Sequence, residues 1–463
     1  MSIRSRARAQ GAGSSPLPGP ADVRPARSGV IRSAEWAVWL GAAFAARLAY
    51  GWLLHSRLAP GFGWEGDDGY DELARLWLGG HGYVRWQGGP PTLERLPLYP
   101  QLLGLLFRAG GGHAERLTWV VQSAFSTLSL APLGALASRL GGARACRLAL
   151  ALGMIHPLGY LYNFRFMTEP LHLFLVSVFM WLSLRWVEAG GWLNAAGWGA
   201  ALGAALMTRS ALLPVAPILL AVTAIARSRG TAPAAGPRRW SGSLVLALLA
   251  CLAVLAPWMG RAAALGGGLA SSGAAAAVYH GLAVSRAAWE RTDLGAVDRA
   301  SDQELERRLG AALPHLRPAD LSWEAERDKV ARRLAAQSFA GGWLRAVESL
   351  RNLALSWYLT YTPRGTALAA LFQIPLLVGL AAAVRRRGRA WPPAAWPALA
   401  LAASVTLVQA LVYPHFRFMA PATWAALALV AGGLAGATRP GATATDTAPE
   451  SPGSGRGRPR QVA

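Results

Sequence analysis

The sequence is short of charge. Only 15% of its 463 residues are charged, where a soluble protein of that length carries roughly 25%. Two stretches, 241–260 and 365–384, contain no Asp, Glu, Lys or Arg at all. Each is long enough to cross a hydrocarbon core of about 30 Å as a helix, which excludes an ordinary soluble domain. Cysteine is scarce too: Cys146 and Cys251 are the only two, both in or beside apolar runs, so a disulfide framework has no support. Lysine is nearly absent. Lys329 is the single lysine among 46 basic residues, set against 24 acidic ones, for a net charge of +22. Such a balance raises nucleic-acid binding first, but no basic module of a known type is present. The arginines instead gather in short loops between apolar runs, as topology signals do. Residues 1–30 are rich in Arg, Pro and Gly and lack an apolar centre, so they do not read as a cleavable signal peptide. The first span is expected to remain as an anchor, and no internal repeat is evident.

What the sequence does have is apolar runs. Ten read as membrane spans, with cores near 33–54, 115–138, 145–163, 170–187, 192–208, 211–226, 241–259, 364–384, 391–412 and 418–436. In lipid, a helix satisfies its own backbone hydrogen bonds. The expected fold is therefore an all-α polytopic membrane bundle. With the N-terminus in the cytoplasm, the short loops holding Arg139, Arg144 and Arg147, then Arg185, then Arg227, Arg229, Arg238 and Arg239, then Arg385, Arg386, Arg387 and Arg389, all fall on the inside. This one-sidedness sets the topology: both termini cytoplasmic. The chain then divides into a cytoplasmic tail (1–32), a transmembrane domain (33–436) and a Thr/Pro/Gly/Ser-rich tail (437–463) expected to be disordered. Two long segments face outward. One, 55–114, should hold a short helix and an interfacial helix. The other, 261–363, should form a small helical subdomain, with Ser301 and Glu304 spaced as a capping box.

Carboxylates are rare, yet Glu65, Asp67, Asp68, Asp71 and Glu72 fall within eight residues just after the first span. Asp71 and Glu72 suit a helix N-terminus. Asp67 and Asp68 precede it on a glycine-flanked turn, where a carboxylate can serve as general base to an acceptor hydroxyl. The plainer reading is a solvated acidic loop. Arg95, Glu169, Arg209, Arg261, His415 and Arg417 fall at the same outer face, and each has a plainer reading of its own. Thr168, Glu169 and Pro170 form a helix-start signal. Arg209 and Arg261 would snorkel to the interface. His415 would be an interfacial histidine, and His156, before Pro157, marks a kink. Outside arginines nevertheless run against the positive-inside bias. Gathered with carboxylates, they suit an anionic headgroup, because a guanidinium pairs bidentately with phosphate.

Four segments then resemble the GT-C glycosyltransferases, in the bacterial branch related to dolichyl-phosphate-mannose–protein mannosyltransferases and lipid A aminoarabinose transferases. They are the acidic turn with Tyr70, Leu73, Ala74 and GGHGYV (79–84); TLERLPLYPQLLGLL (92–106), with Arg95 and Tyr99; TEPLHLFL (168–175) with GAALGAALMTRSALL (199–213); and LAPWMGR (255–261) together with HFRFMAPATWAALAL (415–429). In order they span most of 33–436. Three departures stand out: Asp67-Asp68 where the family has Asp-Glu, Ala262 where it has Asn, and Phe418 where it has Tyr.

The resemblance implies a GT-C bundle of about ten transmembrane helices with helical extracytoplasmic loops, in a bacterial inner membrane. It also implies a transfer reaction. A hexosyl or pentosyl group would move from a polyprenyl-phosphate donor to an extracytoplasmic lipid, glycan or protein acceptor, with inversion. Asp67 or Asp68 would be the base. Tyr70, Arg95, Tyr99, Glu169, Arg209, Arg261, His415 and Arg417 would contact substrate, the arginines stabilising the departing phosphate. No cofactor is required; metal use varies across the superfamily, and no convincing ligand cluster for a divalent metal is visible here. Two rivals remain. A flippase or transporter of lipid-linked sugars would want ionisable residues near mid-membrane, of which Arg47 is the clearest. A non-catalytic membrane scaffold for envelope assembly would not need the acidic turn and the arginines together.

Overall fold

The computed structural model describes residues 31–57, 68–229, 237–267, 274–290, 293–316, 320, 323–339, 342–388 and 390–435. Asp67, Glu65 and both tails, apart from Ile31 and Arg32, lie outside the described residues. The helices, in chain order, are α1 (Ser33–Arg57), α2 (Tyr70–Leu78), α3 (Leu98–Gly110), α4 (Ala114–Leu128), α5 (Leu130–Ile155), α6 (Glu169–Ala189), α7 (Trp192–Leu206), α8 (Ala216–Arg229), α9 (Pro237–Ala264), α10 (Ala274–Glu290), α11 (Leu294–Ala312), α12 (Trp323–Phe339), α13 (Gly342–Tyr358), α14 (Pro363–Arg387), α15 (Trp396–Leu411) and α16 (Ala420–Ala435). Among the described residues there is no strand beyond one isolated bridge, Val84 to Pro91. The protein is an all-α polytopic membrane bundle.

Six stretches are long and apolar enough to cross a membrane: Leu98–Ile155, Glu169–Ala189, Ser241–Ala264, Pro363–Arg387, Pro393–Leu411 and Phe416–Ala435. The sequence reading counts ten spans. Part of the difference is length. α7 has 15 residues and α8 has 14, and at 1.5 Å per residue neither alone reaches about 30 Å. α1 is 25 residues long but carries Glu35 and Arg47. The expected loop between the second and third spans is a sharp break inside α5. Gly142 there adopts φ 74°, a left-handed conformation that glycine reaches without a Cβ penalty. The expected third span also ends early. α5 stops at Ile155, and His156 caps a short 3-10 turn, its Nδ1 accepting from Leu158 N at 3.3 Å.

α16 is the central post. It is buried along most of its length and packs on α5, α14 and α15. Its alanines and glycines let neighbouring backbones approach closely, the usual solution where lipid supplies no hydrophobic drive between helices. α7 lies against α9 in the same way: a Cβ on Gly199 would stand 1.8 Å from the Ala247 carbonyl oxygen. Outside this core, α2 packs on α3. α10 packs on α11 and α12 around Leu305, Leu309, Ala331 and Leu334. Glu324, at the start of α12, accepts a hydrogen bond from Leu93 N at 2.6 Å, which ties this outer layer to the segment before α3.

Candidate active site

The acidic turn ends in Asp68 and Gly69. Gly69 has φ 69°, so the chain can reverse directly into α2 and leave the Asp68 carboxylate facing the bundle. Arg417 lies on the 3-10 turn Phe416–Met419 that leads into α16. Its Nη2 donates to Asp68 Oδ2 at 2.5 Å, and its Nε donates to Glu169 Oε1. The same Glu169 oxygen accepts from Arg209 Nη1 at 2.6 Å. Arg95 Nε donates to the Asp68 carbonyl at 3.0 Å. Four segments far apart in sequence thus converge on one cluster. Arg95 also pairs with Glu94 at 3.8 Å, so three guanidinium groups face three carboxylates.

Burial alone would push the Asp68 carboxyl up. The charges of Arg417 and Arg95 and the hydrogen bond from Arg417 outweigh it and hold the group down at about 2. Asp68 is therefore ionised at any physiological pH, and its side chain is 25% exposed. Glu169 is almost fully buried, and its Oε2 has no hydrogen-bond partner. The helix-start reading of Thr168–Glu169–Pro170 holds, since α6 begins at Glu169. Thr168, however, does not cap the helix with its side chain. Its Oγ1 instead accepts from Arg209 Nη1 at 3.2 Å. Arg209 also lies over the Phe418 ring at 4.8 Å, so it is held in the cluster and does not snorkel.

His415 caps the turn of Arg417: its Nδ1 accepts from Arg417 N at 3.1 Å. Burial, then the Arg417 charge, lower its pKa to about 3, so it is neutral and contributes no positive charge. Tyr70 lies under Arg95, 5.6 Å from guanidinium carbon to ring centroid, and burial pushes its phenol up. Tyr99 stands one layer further back. It is fully buried, edge-on to Tyr70 at 5.2 Å, and its hydroxyl donates to Gln122 Oε1 at 2.5 Å. As placed, it props Tyr70 and offers no surface to a ligand.

The sequence reading missed Gln122, Tyr162 and Met167. Gln122 Nε2 donates to the carbonyls of Asn163 at 2.7 Å and Arg165 at 2.8 Å, which fixes the loop between α5 and α6. That loop walls the cluster. The Tyr162 ring lies 5.9 Å from the Arg417 guanidinium, and Met167 Sδ accepts from Arg417 Nη2 at 3.4 Å. A lone glutamine in an apolar helix carries no pattern; only its position among scarce polar residues could have marked it.

Arg261 sits apart from the cluster, beside a groove of about 480 Å³ between α2, α3, α7 and α9. Trp77, Leu98, Met207, Val254 and Trp258 make most of its lining apolar. Arg261 Nη2 donates to the Tyr83 carbonyl at 3.1 Å, while its buried Nε has no partner. Tyr83 in turn donates through its hydroxyl to the Arg95 carbonyl at 2.9 Å. The groove therefore connects to the charged cluster through two residues, Tyr83 and Arg95. Among the described residues no group of three His, Cys, Asp or Glu is placed to hold a metal ion.

The same bundle occurs in the archaeal oligosaccharyltransferase AglB from Archaeoglobus fulgidus, solved in complex with an inhibitory peptide and a dolichol-phosphate. The two align with a TM-score of 0.50 and 13% identity, over 85% of this chain and 50% of that one. The chain has the GT-C fold. It spans half the length of AglB. ArnT from Cupriavidus metallidurans, solved bound to undecaprenyl phosphate, aligns with a TM-score of 0.38 and 17% identity, over 86% of this chain and 78% of its own. No family model and no curated protein matches the sequence. Within the GT-C fold of this chain, the cluster lies where the C-terminal ends of α7 and α15 meet the N-terminal end of α6.

Proposed function

We propose that the protein transfers a glycosyl group from a polyprenyl-phosphate donor to an acceptor hydroxyl at the extracytoplasmic face of a bacterial inner membrane, with inversion. The observation that carries this reading is the convergence of Asp68, Glu169, Arg209 and Arg417 beside an apolar groove bordered by Arg261. The GT-C fold supports it, and so does the dolichol-phosphate in the AglB complex. In this reading the prenyl chain lies in the groove. The phosphate meets the Arg261 guanidinium at its edge and Arg95 and Arg417 beyond.

Asp68 accepts the proton of the acceptor hydroxyl. The acceptor oxygen then forms a bond to the anomeric carbon on the face opposite the phosphate. The bond between that carbon and the phosphate oxygen breaks, and its electron pair stays on the phosphate, where the arginines stabilise the charge. Phosphate is already a good leaving group, so one carboxylate base suffices, unlike the carboxylate pairs of most glycoside hydrolases. Glu169 holds the planes of two guanidinium groups.

The test is intact-lipid mass spectrometry of a deletion strain. A polyprenyl-phosphate sugar should accumulate and one envelope glycan should disappear. The wild-type gene should reverse both and an Asp68→Asn gene neither. A strain with an unchanged lipid-linked sugar pool and unchanged glycans would overturn the reading.

A further inference from the structure

Arg417 holds two carboxylates at once. Nε is on Glu169, which Arg209 also holds, and Nη2 is on Asp68. In this state Asp68 Oδ2 accepts a charge-assisted hydrogen bond from a guanidinium, which lowers its affinity for the proton of an acceptor hydroxyl. The charged and titratable groups around Asp68 come from every packed segment: Arg417 from the turn before α16, Arg95 from the segment before α3, Arg209 from the turn before α8, Glu169 from the start of α6, and Tyr70 from α2. Glu94, whose carboxylate lies 3.8 Å from Arg95, completes the set. A phosphate offers a guanidinium the same pair of oxygens that a carboxylate does. It can replace Asp68 at Nη2 while Nε stays on Glu169, so the guanidinium need not leave its place.

We propose that the phosphate of the lipid-linked donor takes the Arg417 Nη2 donor from Asp68, so that the base is released only when the donor is bound. The proposal rests on the donor reading given above. Glu169 is then the fixed anchor of the exchange, and Asp68 the partner that lets go. Once released, Asp68 keeps the burial that favours its protonated form, loses the hydrogen bond from Arg417 and gains the phosphate's negative charge beside it. Its proton affinity rises, as a general base requires. Transfer should therefore be ordered, with the donor bound before the acceptor is deprotonated.

Carbodiimide coupling to an amine reads this directly, because it labels carboxyl groups in their protonated form. The purified protein in liposomes is labelled at pH 5 with and without undecaprenyl phosphate, and tandem mass spectrometry locates the label at Asp68. Lipid retained by the protein is measured in the same samples. Labelling of Asp68 should rise several-fold when the lipid is bound. In Arg417→Gln it should be high in either case, and the wild-type comparison stands whether or not that variant folds. Bound lipid with unchanged or lower labelling would overturn the exchange and leave the donor reading intact. An equal rise with inorganic phosphate alone would also count against it, since the groove would then have no part. No retained lipid would overturn the donor reading, and the exchange with it.

Discussion

Asp68 and Arg417 are 349 positions apart in the chain, yet one contact of 2.5 Å joins them. Replacing Asp68 with Asn should reduce transfer by about 10²–10⁴, the usual cost of losing a positioned base, with membrane insertion unchanged. A transfer assay in liposomes checks it; near-normal transfer would move attention to Asp67 and Glu65. Arg417 tests a different property. Its Nε and Nη2 reach two carboxylates at once, which a single ammonium on a flexible stem does not reproduce. Arg417→Ala should therefore abolish donor use and Arg417→Lys restore only part of it. The check is the rate against donor concentration for the three proteins, and full restoration by Lys would reduce Arg417 to a point charge. The pair also bears on stability. Asp68 is held at about 2 against an ordinary value of 3.8. Its stabilising contribution is thus fully present above about pH 4 and is lost as pH falls toward 2. The difference in thermal midpoint between wild type and Asp68→Asn should be constant from pH 7 to 5 and shrink below pH 4.

At the scale of elements, the tightest junction is α7 on α9. Gly199→Ala would drive a Cβ into the Ala247 carbonyl, a backbone atom with no rotamer to turn away. Overpacking of this kind costs about 1–3 kcal/mol, so the thermal midpoint in detergent should fall by several degrees. Gly260→Ala on the same α9 meets nothing within 4 Å and should leave the midpoint unchanged or raise it slightly, since alanine is the better helix former; an equal fall in the two would show that packing is not what is being measured. The same element scale explains what could be read in advance. The charge-free runs announced α9 and α14, because lipid demands long apolar helices. Glu169, Arg209 and Arg417 stood out because ionisable residues are scarce here and outside arginines need a reason. The groove beside Arg261 did not stand out, since its lining comes from four helices whose meeting is a tertiary matter. Tyr99 sat in a recognisable segment, but the sequence could not tell the ring that faces the site from the ring behind it. The break in α5 at Gly141 and Gly142 was legible, because two adjacent glycines between Arg139 and Arg144 interrupt the apolar run there.

The whole bundle has two chemically different ends. At one end α1 leads toward the acidic turn, α6 begins at Glu169, Arg209 stands between α7 and α8, and Arg417 stands between α15 and α16. At the other end Arg147 pairs with Glu35 at 2.6 Å and Arg139 with Glu188 at 3.3 Å. Arg227 Nη1 donates there to the Val187 carbonyl at 3.0 Å, and Arg387 Nη2 to the carbonyls of Leu140 at 2.7 Å and Gly432 at 2.9 Å. These last arginines give carbonyl hydrogen bonds and favourable dipole interactions near helix ends. They are also the ones that the positive-inside rule would keep in the cytoplasm. The cluster of Asp68 and Arg417 would then open to the opposite side, and Glu324 would hold the outer layer of α10–α12 over it through Leu93. Reporter fusions after Arg227 and after Arg387 should accordingly read cytoplasmic, and a fusion at Gly310 in α11 extracytoplasmic. An alkaline phosphatase and green fluorescent protein pair at each position gives opposite signals on the two sides. An extracytoplasmic signal at Arg387 would invert the bundle, place the candidate base in the cytoplasm, and rule out a donor sugar presented from the outer leaflet.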